Sequence, residues 1–546
     1  MQSVRSLRHI VMLGVTVLIL AGVMLVVRFS PWQAGLPNRV HADEPAKPMS
    51  ELARMWPMFG GSISRNMVNL TETNVPTDWE VRKNQQPKNL KWKERLGSKA
   101  YGGPTVVGGK IYIGTNNGSP RNNRDRDPQT KKPLDKGILM CFRESDGKFL
   151  WQHVNDKLPG GQAYDWPEEG VCSTPIVEGE RLWYVSNRCT VNCLDTEGLA
   201  HIPMAERKEQ YKDDTDAHII WQYDMMKELN VSPHNLAVCS PLIVGDLLFV
   251  VTANGVDEQH ISVPSPEAPS FICLDKKTGK LLWKDNSPGK NIMHGQWSNP
   301  TYAEIGGVPQ VIFPGGDGWI RGFEPKTGKL LWKFDANPKD SFYKLGTEGT
   351  KSDFIATPVV HEGKIYLSTG QDPEHYAGVG HFWCIDPAGK TGDISPELVE
   401  DASVKPPKTK KNPNSGAVWH FGGPNPDENA RRDILFSRTM STASVHDGLC
   451  YVADLQGFVY CLDAKTGKLY WQHDTKSEIW GSTYWVDGKI YLNVGDGDVY
   501  IFAHGKEKKL INKVEMDESL RSTSVVANGV LYLMSENNLF AIQEKK

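Results

Sequence analysis

The sequence lacks the cysteine patterns of the commonest thiol-based sites. Its nine cysteines are scattered over 546 residues, with no CxxC, CxxCH or adjacent Cys-Cys pair. This excludes a c-type haem attachment site and a small disulfide scaffold. Two closer pairs, Cys189 with Cys193 and Cys450 with Cys461, could form disulfides in an oxidising compartment. Buried thiols in the core are the alternative.

An excess of positive charge is also missing. Lys and Arg total 62 against 65 Asp and Glu, which gives a net charge of -3. Non-specific nucleic-acid binding normally needs a basic excess, so we expect no nucleic-acid partner. The charged fraction of 23% and the hydrophobic fraction of 39% are typical of a folded protein. The length indicates several domains or one large repetitive domain.

Long apolar runs are absent except near the amino terminus, where one begins at Ile10 and ends at Val27. Arg5 and Arg8 precede it, an order typical of segments delivered to an export machinery. Its length fits both a signal peptide cleaved before Asp43 and a retained membrane anchor. We therefore expect an exported protein on the periplasmic side of the membrane. The expected organisation is a signal peptide or anchor at 1–42, a linker and lead-in at 43–88, and a folded body at 89–546.

A ten-residue pattern recurs through the folded body. Its clearest copies are LDKKTGKLLW at 274–283, FEPKTGKLLW at 323–332, LDAKTGKLYW at 462–471 and FRESDGKFLW at 142–151. Each copy predicts a strand, a tight turn whose Gly supplies a positive φ, and a strand ending in Trp. A second hairpin precedes each copy, as in PTVVGGKIYIG at 104–114. Units of four antiparallel strands, repeated every 40–60 residues or so, predict an all-β propeller.

The number of units predicts eight blades and a specific closure of the ring. The last unit, 522–543, supplies only three strands, whereas the segment 90–96, which contains Trp92, resembles an outer strand with no unit before it. We predict that the two share one sheet, because closure removes exposed sheet edges. The repeat tryptophans are interpreted as packing between neighbouring blades.

These repeats resemble the tryptophan-docking motif of the quinoprotein-type (pyrroloquinoline quinone-like) β-propeller family, over about residues 90–546. The resemblance implies the eight-bladed fold of its alcohol dehydrogenases. The family includes dehydrogenases that use pyrroloquinoline quinone with calcium, and cofactor-free relatives that bind proteins, such as the propeller lipoprotein of outer-membrane assembly. The enzymes typically carry an adjacent cysteine pair, which this sequence lacks, and their calcium ligands and catalytic Asp find no match here. The resemblance therefore implies the fold and leaves quinone and calcium open.

The long insertions predict one elaborated face. In a propeller, the loops between second and third strands share a face with the connections between blades. Seven insertions fall in these places: 116–137, 154–171, 225–238, 254–270, 286–296, 336–354 and 371–382. We call this the loop-rich face and predict that it carries the binding or catalytic surface. The opposite face has tight turns apart from insertions at 196–217 and 388–417.

Several loop residues have side chains that bind metals. Carboxylates combined with imidazoles favour zinc or iron. The candidate metal ligands are Asp372, Glu374, His375 and His381, with a second group at Asp257, Glu258 and His260. Solvated polar loop residues are the alternative reading of both groups.

Four further residues are candidate cofactor-binding groups. His234 and His294 each precede an innermost strand, which predicts positions near the mouth of the central channel, and structural histidines are the alternative. Asp317 and Trp319, in the motif GGDGW, could place an aromatic ring near the channel, and a packed hairpin is the alternative.

The sequence thus predicts an exported, membrane-tethered propeller that binds an envelope protein or a small ligand on its loop-rich face. One alternative is a pyrroloquinoline quinone-dependent dehydrogenase that oxidises alcohols or sugars. Another is a scaffold protein of the cell envelope.

Overall fold

The computed structural model describes residues 54–343, 349–371, 378–427, 429–430 and 432–544. They all belong to one unit, Met49–Lys546. The apolar run from Ile10 to Val27 lies outside these residues. Within the part of the chain that is described, no helix combines the length and the apolar character needed to cross a bilayer.

Nearly all regular structure consists of short β-strands. In chain order they are β1 (Val68–Asn69), β2 (Leu90–Arg95), β3 (Thr105–Val107), β4 (Lys110–Asn116), β5 (Lys136–Arg143), β6 (Phe149–Asp156), β7 (Ile176–Glu178), β8 (Arg181–Val185), β9 (Thr190–Asp195), β10 (Ile219–Asp224), β11 (Leu242–Val244), β12 (Leu247–Val251), β13 (Phe271–Asp275), β14 (Leu281–Asp285), β15 (Thr301–Ile305), β16 (Val308–Pro314), β17 (Trp319–Phe323), β18 (Leu330–Asp335), β19 (Val359–His361), β20 (Lys364–Ser368), β21 (His381–Ile385), β22 (Gly392–Asp393), β23 (Glu397–Asp401), β24 (Lys408–Lys411), β25 (Ala417–Gly422), β26 (Ser444–His446), β27 (Leu449–Ala453), β28 (Phe458–Asp463), β29 (Leu469–Asp474), β30 (Tyr484–Val486), β31 (Lys489–Asn493), β32 (Asp498–Ala503), β33 (Leu510–Glu515), β34 (Val525–Ala527), β35 (Val530–Met534) and β36 (Asn538–Ile542). The helical segments are α1 (Met225–Leu229) and short 3-10 turns at Asn123–Asp125, Gly161–Ala163, Met204–Glu206 and Gly289–Asn291.

These strands build eight four-stranded antiparallel blades, which confirms the predicted fold class. The blades are β3–β6, β7–β10, β11–β14, β15–β18, β19–β21 with β25, β26–β29, β30–β33, and β34–β36 with β2; we number them blade 1 to blade 8 in this order. The insertion at 388–417 adds a parallel strand, β22, beside β18 of blade 4, and a separate hairpin of β23 and β24.

The ring closes as predicted, with strands from both ends of the chain in blade 8. Strand β2 pairs antiparallel with β36, and Trp92 lies opposite Ala541. The indole of Trp92 also packs on Tyr532, with ring centroids 6.0 Å apart. Strand β36 is therefore paired on both sides, with β35 and with β2, and blade 8 has four strands like the other blades.

Most of the repeat tryptophans dock their blade onto the next one, which confirms their structural interpretation. Their indole N–H groups donate to backbone carbonyls in the turn between the third and fourth strands of the following blade. Examples are Trp92 to Glu144 (3.2 Å), Trp151 to Thr196 (3.0 Å), Trp283 to Pro325 (2.8 Å) and Trp471 to Gly505 (3.0 Å). The turn glycine lies under the ring: at Gly328, where φ is +69°, a Cβ would come within 2.6 Å of Trp283. This contact explains why the repeat needs Gly in its turn as well as Trp at its end.

The cysteines are all free thiols, eight of them buried and Cys172 half-buried. The two disulfides that the spacing allowed are therefore not formed, and the buried-core alternative holds. Cys450 lies opposite Leu462 on the next strand, whereas Cys461 lies opposite Tyr451. This register does not put the two sulfur atoms face to face.

The segment before the first blade forms a collar around the inner edge of the ring. We call residues 54–72 the collar. It contacts the innermost strand, or the residues beside it, of every blade in turn. The contacts run from Asn528 through Val106, Val177, Ser240, Tyr302, Val360, Val445 and Trp485 to Val526. At the two ends of the collar, the Arg54 guanidinium group donates two hydrogen bonds of 3.0 Å to the Glu72 carboxylate.

Arg65 fixes the collar to the blades from inside. Its side chain is fully buried and donates hydrogen bonds of 2.8–3.0 Å to four backbone carbonyl oxygens. These carbonyls belong to Phe59, Ser240, Pro241 and Pro300. The two ends of the collar bind the tight turn between β34 and β35, through Asn528 N to Arg54 O and Gly529 N to Glu72 Oε2, so these ends lie on the face of the tight turns.

Candidate functional site

An axial cavity of about 390 Å³ lies at the centre of the ring. Every blade contributes the residues that lead into its innermost strand. In blade order these include Gly102, Thr174, Ser240, Asn299, Thr357, Thr442, Ser482 and Thr523. Trp166 and Glu169 reach the cavity from the connection between blades 1 and 2, on the loop-rich face. Phe59 of the collar lines the other end.

Aromatic side chains and one guanidinium group form a stack in the cavity wall. The rings of Tyr101 and Trp480 are stacked, with centroids 5.7 Å apart and planes 23° apart. The guanidinium group of Arg521 lies 4.3 Å from the centroid of the Trp480 ring. Trp166 and Trp297 also line the cavity. Such a wall offers flat apolar surface together with a guanidinium group, which also forms an ion pair of 3.3 Å with Glu536.

The other charged group of the lining is Glu169. Its carboxylate accepts a hydrogen bond of 3.1 Å from the ammonium group of Lys99. Burial, helped by the nearby charge of Glu169, raises the pKa of the Tyr101 phenol well above its ordinary value. Tyr101 is therefore a neutral hydroxyl group at physiological pH. Of the carboxylates in the described lining, Glu169 stands alone.

Three histidines from three separate insertions meet beside this cavity. His260 Nε2 lies 3.1 Å from His234 Nε2 and 2.7 Å from His294 Nε2. The three ligating nitrogen atoms all lie within 4.8 Å of one another. His234 and His294 are buried, and His260 is half-buried. We call these residues the histidine cluster.

Trp297 connects the histidine cluster to the cavity. Its ring packs edge-on against His294 at 5.0 Å and lies 6.2 Å from the ring of His234. Its indole N–H donates to the carbonyl oxygen of Leu236, another cavity residue. The cluster and the cavity are thus neighbouring parts of the loop-rich face.

The backbone approach that forms the cluster requires a glycine. A Cβ at Gly255 would come within 2.4 Å of the His234 Cβ and 2.8 Å of the His294 carbonyl oxygen. Val256 N donates to that same His294 oxygen at 3.0 Å. Gly255 belongs to the loop between the second and third strands of blade 3. Because it has no side chain, the connection before blade 3 and the connection after blade 3 can both approach this loop.

Asp317 and Trp319 contact charged side chains outside this cluster. Asp317 is buried and forms a salt bridge of 2.5 Å with Arg321. The ring of Trp319 receives the ammonium groups of Lys333 and Lys339 at 4.8 and 4.6 Å. Met293 N donates to Gly316 O, so the GGDGW hairpin supports the loop that carries His294.

The first predicted metal group falls mostly outside the described residues. Asp372, Glu374 and His375 lie there, and only His381 is described. His381 begins β21, and its Nδ1 lies 2.9 Å from His420 Nε2. Burial lowers the pKa of His381 to about 3 and that of His420 to about 4, so both rings are neutral.

In the second group, His260 joins His234 and His294, whereas Asp257 holds the loop. The Asp257 carboxylate accepts hydrogen bonds from Ile261 N, Ser262 N and Ser262 Oγ. The sequence placed His260 in a different group from His234 and His294. It did not single out Tyr101, Trp480 or Arg521, although each lies just before an innermost strand, as His234 does.

The cavity does not supply the ligand set that a quinone with calcium needs. Calcium takes six to eight oxygen ligands, commonly from several carboxylates. The described lining offers the single carboxylate of Glu169, which is engaged by Lys99. The carboxamide of Asn299 is also engaged, by Ser240 N and the Thr357 hydroxyl. These residues therefore do not fit a calcium-bound quinone.

The fold and this site define the class of protein: an eight-bladed, tryptophan-docked propeller with an axial cavity on its loop-rich face. The sequence matches the model of the family described as outer membrane protein assembly factor BamB over residues 205–390 and 410–545. That match covers more than half of the chain, and the chain belongs to this family.

Solved structures with the same fold are distant in sequence. Quinohemoprotein alcohol dehydrogenase from Comamonas testosteroni is similar over 90% of this chain and 81% of its own, with 11% identity and a TM-score of 0.55. BamB from Moraxella catarrhalis matches 84% of this chain and 97% of its own, with 14% identity and a TM-score of 0.47. At these identities the likeness concerns the fold alone. No curated protein matches the chain.

Proposed function

We propose that this protein is an exported propeller that binds a small, flat organic ligand in its axial cavity. The observation that carries the proposal is the stack of Tyr101, Trp480 and Arg521 in a cavity to which all eight blades contribute. Export rests on Arg5 and Arg8 before the apolar run that starts at Ile10.

The cavity has the features of small-molecule sites. A volume of about 390 Å³ suits a ligand of moderate size. Flat aromatic walls favour a ring system, and the Arg521 guanidinium group favours an anionic or hydrogen-bond-accepting substituent. The collar covers the opposite end, so a ligand enters from the loop-rich face.

A planar aromatic anion tests this site directly. We expect 1-anilinonaphthalene-8-sulfonate to bind the full-length protein with one-to-one stoichiometry and to quench tryptophan fluorescence. The Gly103→Trp variant should abolish binding, because Gly103 lines the cavity and a Cβ there meets no atom within 4 Å. The indole would fill the cavity without disturbing the fold.

Gly103→Ala is the matched control, because it adds one methyl group at the same position and should retain binding. Arg521→Gln should weaken binding of the sulfonate by about tenfold, which corresponds to the loss of one charge-assisted contact. Equal affinity for the wild type and Gly103→Trp would place the probe elsewhere and contradict the proposal. Titration with pyrroloquinoline quinone and calcium in the same assay tests the dehydrogenase alternative.

A second candidate function is docking of an envelope protein on the loop-rich face. Membership of a family described by outer membrane protein assembly supports it. So do two exposed apolar side chains on that face, Ile261 (83% exposed) and Phe342 (53% exposed). Ile261→Asp with Phe342→Asp should then reduce co-purification of a defined partner from solubilised envelopes. Val399→Asp, at an exposed position of the opposite face, is the control.

A further inference from the structure

We propose that the histidine cluster, His234, His260 and His294, is a binding site for a divalent transition-metal ion, with zinc as the best-fitting ion. The proposal does not depend on the proposed ligand of the cavity. The proposal rests on the convergence of three imidazole nitrogen atoms from three insertions of the loop-rich face.

The distances between the nitrogen atoms suit one shared ion. Zinc binds imidazole nitrogen at about 2.0–2.1 Å, so two tetrahedral ligands lie about 3.3 Å apart. His260 Nε2 lies 3.1 and 2.7 Å from the other two Nε2 atoms. All three nitrogen atoms lie within 4.8 Å of one another. One ion between them therefore contacts all three after small adjustments of the rings.

Two imidazole nitrogen atoms face the same nitrogen atom of His260. A neutral imidazole nitrogen carries either one proton or one lone pair in the ring plane, so it makes one hydrogen bond along that direction. His260 Nε2 nevertheless faces two other Nε2 atoms at hydrogen-bonding distance. A cation between the three nitrogen atoms can accept a lone pair from each of them.

The far side of His234 fixes the tautomer that a metal requires. His234 Nδ1 lies 2.9 Å from the carbonyl oxygen of Val256, which can only accept a hydrogen bond. Nδ1 therefore carries a proton, and in the neutral ring the lone pair of Nε2 points to the cluster. A backbone carbonyl in this role is the usual outer-shell partner of a metal-bound histidine.

The three loops are tied together, so the ligands are preorganised. Asn254 is fully buried and accepts a hydrogen bond from Ser232 N, whereas Gln296 donates to the carbonyl oxygen of Asn254. The Asp257 carboxylate caps the turn that carries His260. Each link joins residues within a few positions of a ligand.

The donor set selects the ion. Three imidazole nitrogens suit zinc, copper, nickel or iron, whereas calcium and magnesium prefer oxygen. Tetrahedral zinc with three protein ligands keeps a fourth position for water or an external ligand. His260 is half-buried and Ile261 beside it is exposed, so small molecules can reach that position from the solvent.

The test uses the full-length chain purified without a polyhistidine tag and stripped with a chelator. We expect it to bind one Zn²⁺ per chain by calorimetry, and one Co²⁺ per chain with the visible absorption of a tetrahedral site. X-ray absorption of the zinc-loaded protein should show nitrogen neighbours at about 2.0 Å with imidazole scattering. A first shell of oxygen or sulfur would overturn the proposal.

His260→Asn is the decisive variant. His260 has φ of +58°, and Asn tolerates this left-handed conformation better than other residues, so the loop should keep its path. We expect Zn²⁺ affinity to fall at least about 100-fold through the loss of one of three ligands. The control is His201→Asn, an exposed histidine of the opposite face, which should bind as the wild type does. Unchanged affinity of a folded His260→Asn protein, or no Zn²⁺ binding by the wild type, would overturn the proposal.

Discussion

At the scale of the residue, burial has the strongest effect on the chemistry of the side chains. His153 is the clearest case outside the candidate site. Its ring is buried, its Nδ1 lies 2.6 Å from the Tyr184 hydroxyl, and burial lowers its pKa to about 4. An imidazole that is kept neutral by burial costs stability whenever the unfolded chain can take up a proton that the folded chain cannot.

The pH dependence of stability follows from this pKa. The unfolded chain protonates His153 near pH 6.5, and the folded protein does so only near pH 4. Stability should therefore fall as the pH drops from 7, by about 2 kcal/mol at pH 5 for this residue, and level off below pH 4. Urea unfolding at several pH values measures the effect. His153→Gln should show a flatter profile, and a profile as steep as that of the wild type would contradict the assignment.

At the scale of the element, the contact between blades is a small, repeated unit. An indole ring at the end of one blade rests on the turn glycine of the next blade and donates to a carbonyl of that turn. Trp332 is an exception, because its indole N–H donates to Gln310 within its own blade. The docking unit therefore needs both a positive φ and the absence of a side chain in the turn.

A comparison of Gly328→Ala with Gly363→Ala should separate these two requirements. At Gly328 a Cβ meets both an unfavourable φ of +69° and the Trp283 ring at 2.6 Å. At Gly363 φ is +72°, but a Cβ meets nothing within 4 Å. We expect Gly363→Ala to cost about 1 kcal/mol for the conformation alone, and Gly328→Ala about 1–3 kcal/mol more for the overpacking. Denaturant unfolding compares the two, and equal losses would show that the ring contact contributes nothing.

At the scale of the whole molecule, the collar links all eight blades. Arg65 binds four carbonyl oxygens through its guanidinium group, although burial lowers its pKa to about 10. Arg54 and Glu72 then join the two ends of the collar. The ring is thus stabilised near its outer edge by the tryptophans and near its inner edge by the collar.

Removal of the Arg65 side chain should destabilise the protein as a whole. Arg65→Ala leaves four buried carbonyls without their donor, which we expect to cost about 3 kcal/mol or more. It should also increase fluorescence of 1-anilinonaphthalene-8-sulfonate, because the cavity loses its support at the collar. Thermal unfolding and dye binding are the measurements. Arg143→Ala removes an exposed ion pair with Asp146 and should have a much smaller effect. Similar losses for both variants would contradict the role of Arg65.

Sequence reasoning predicted the features that repeat and missed those that occur once. The Thr-Gly turn and the terminal Trp recur, so blade number, strand order and the pairing of Trp92 with the last sheet followed from the sequence. The collar has no periodic signal, because successive residues contact different blades: Ile63 O accepts from Thr301 and Tyr302 of blade 4, and Ser64 O accepts from Val360 of blade 5.

The histidine cluster shows the same limit within the site. His234, His260 and His294 were each recognised as candidates, but their meeting depends on loop paths that no local pattern encodes. Gly255 is the residue that allows it, and its close contacts are with His234, 21 positions earlier, and with His294, 39 positions later.

The closure through β2 and β36 has a consequence for biosynthesis. A ribosome makes β2 before any blade, more than 400 residues before its partner strand β36. Strand β2 must therefore remain unpaired until β36 has been made, and only then can blade 8 form and close the ring. Nascent chains halted before residue 538 should therefore remain protease-sensitive at their amino-terminal end, however many blades they already contain.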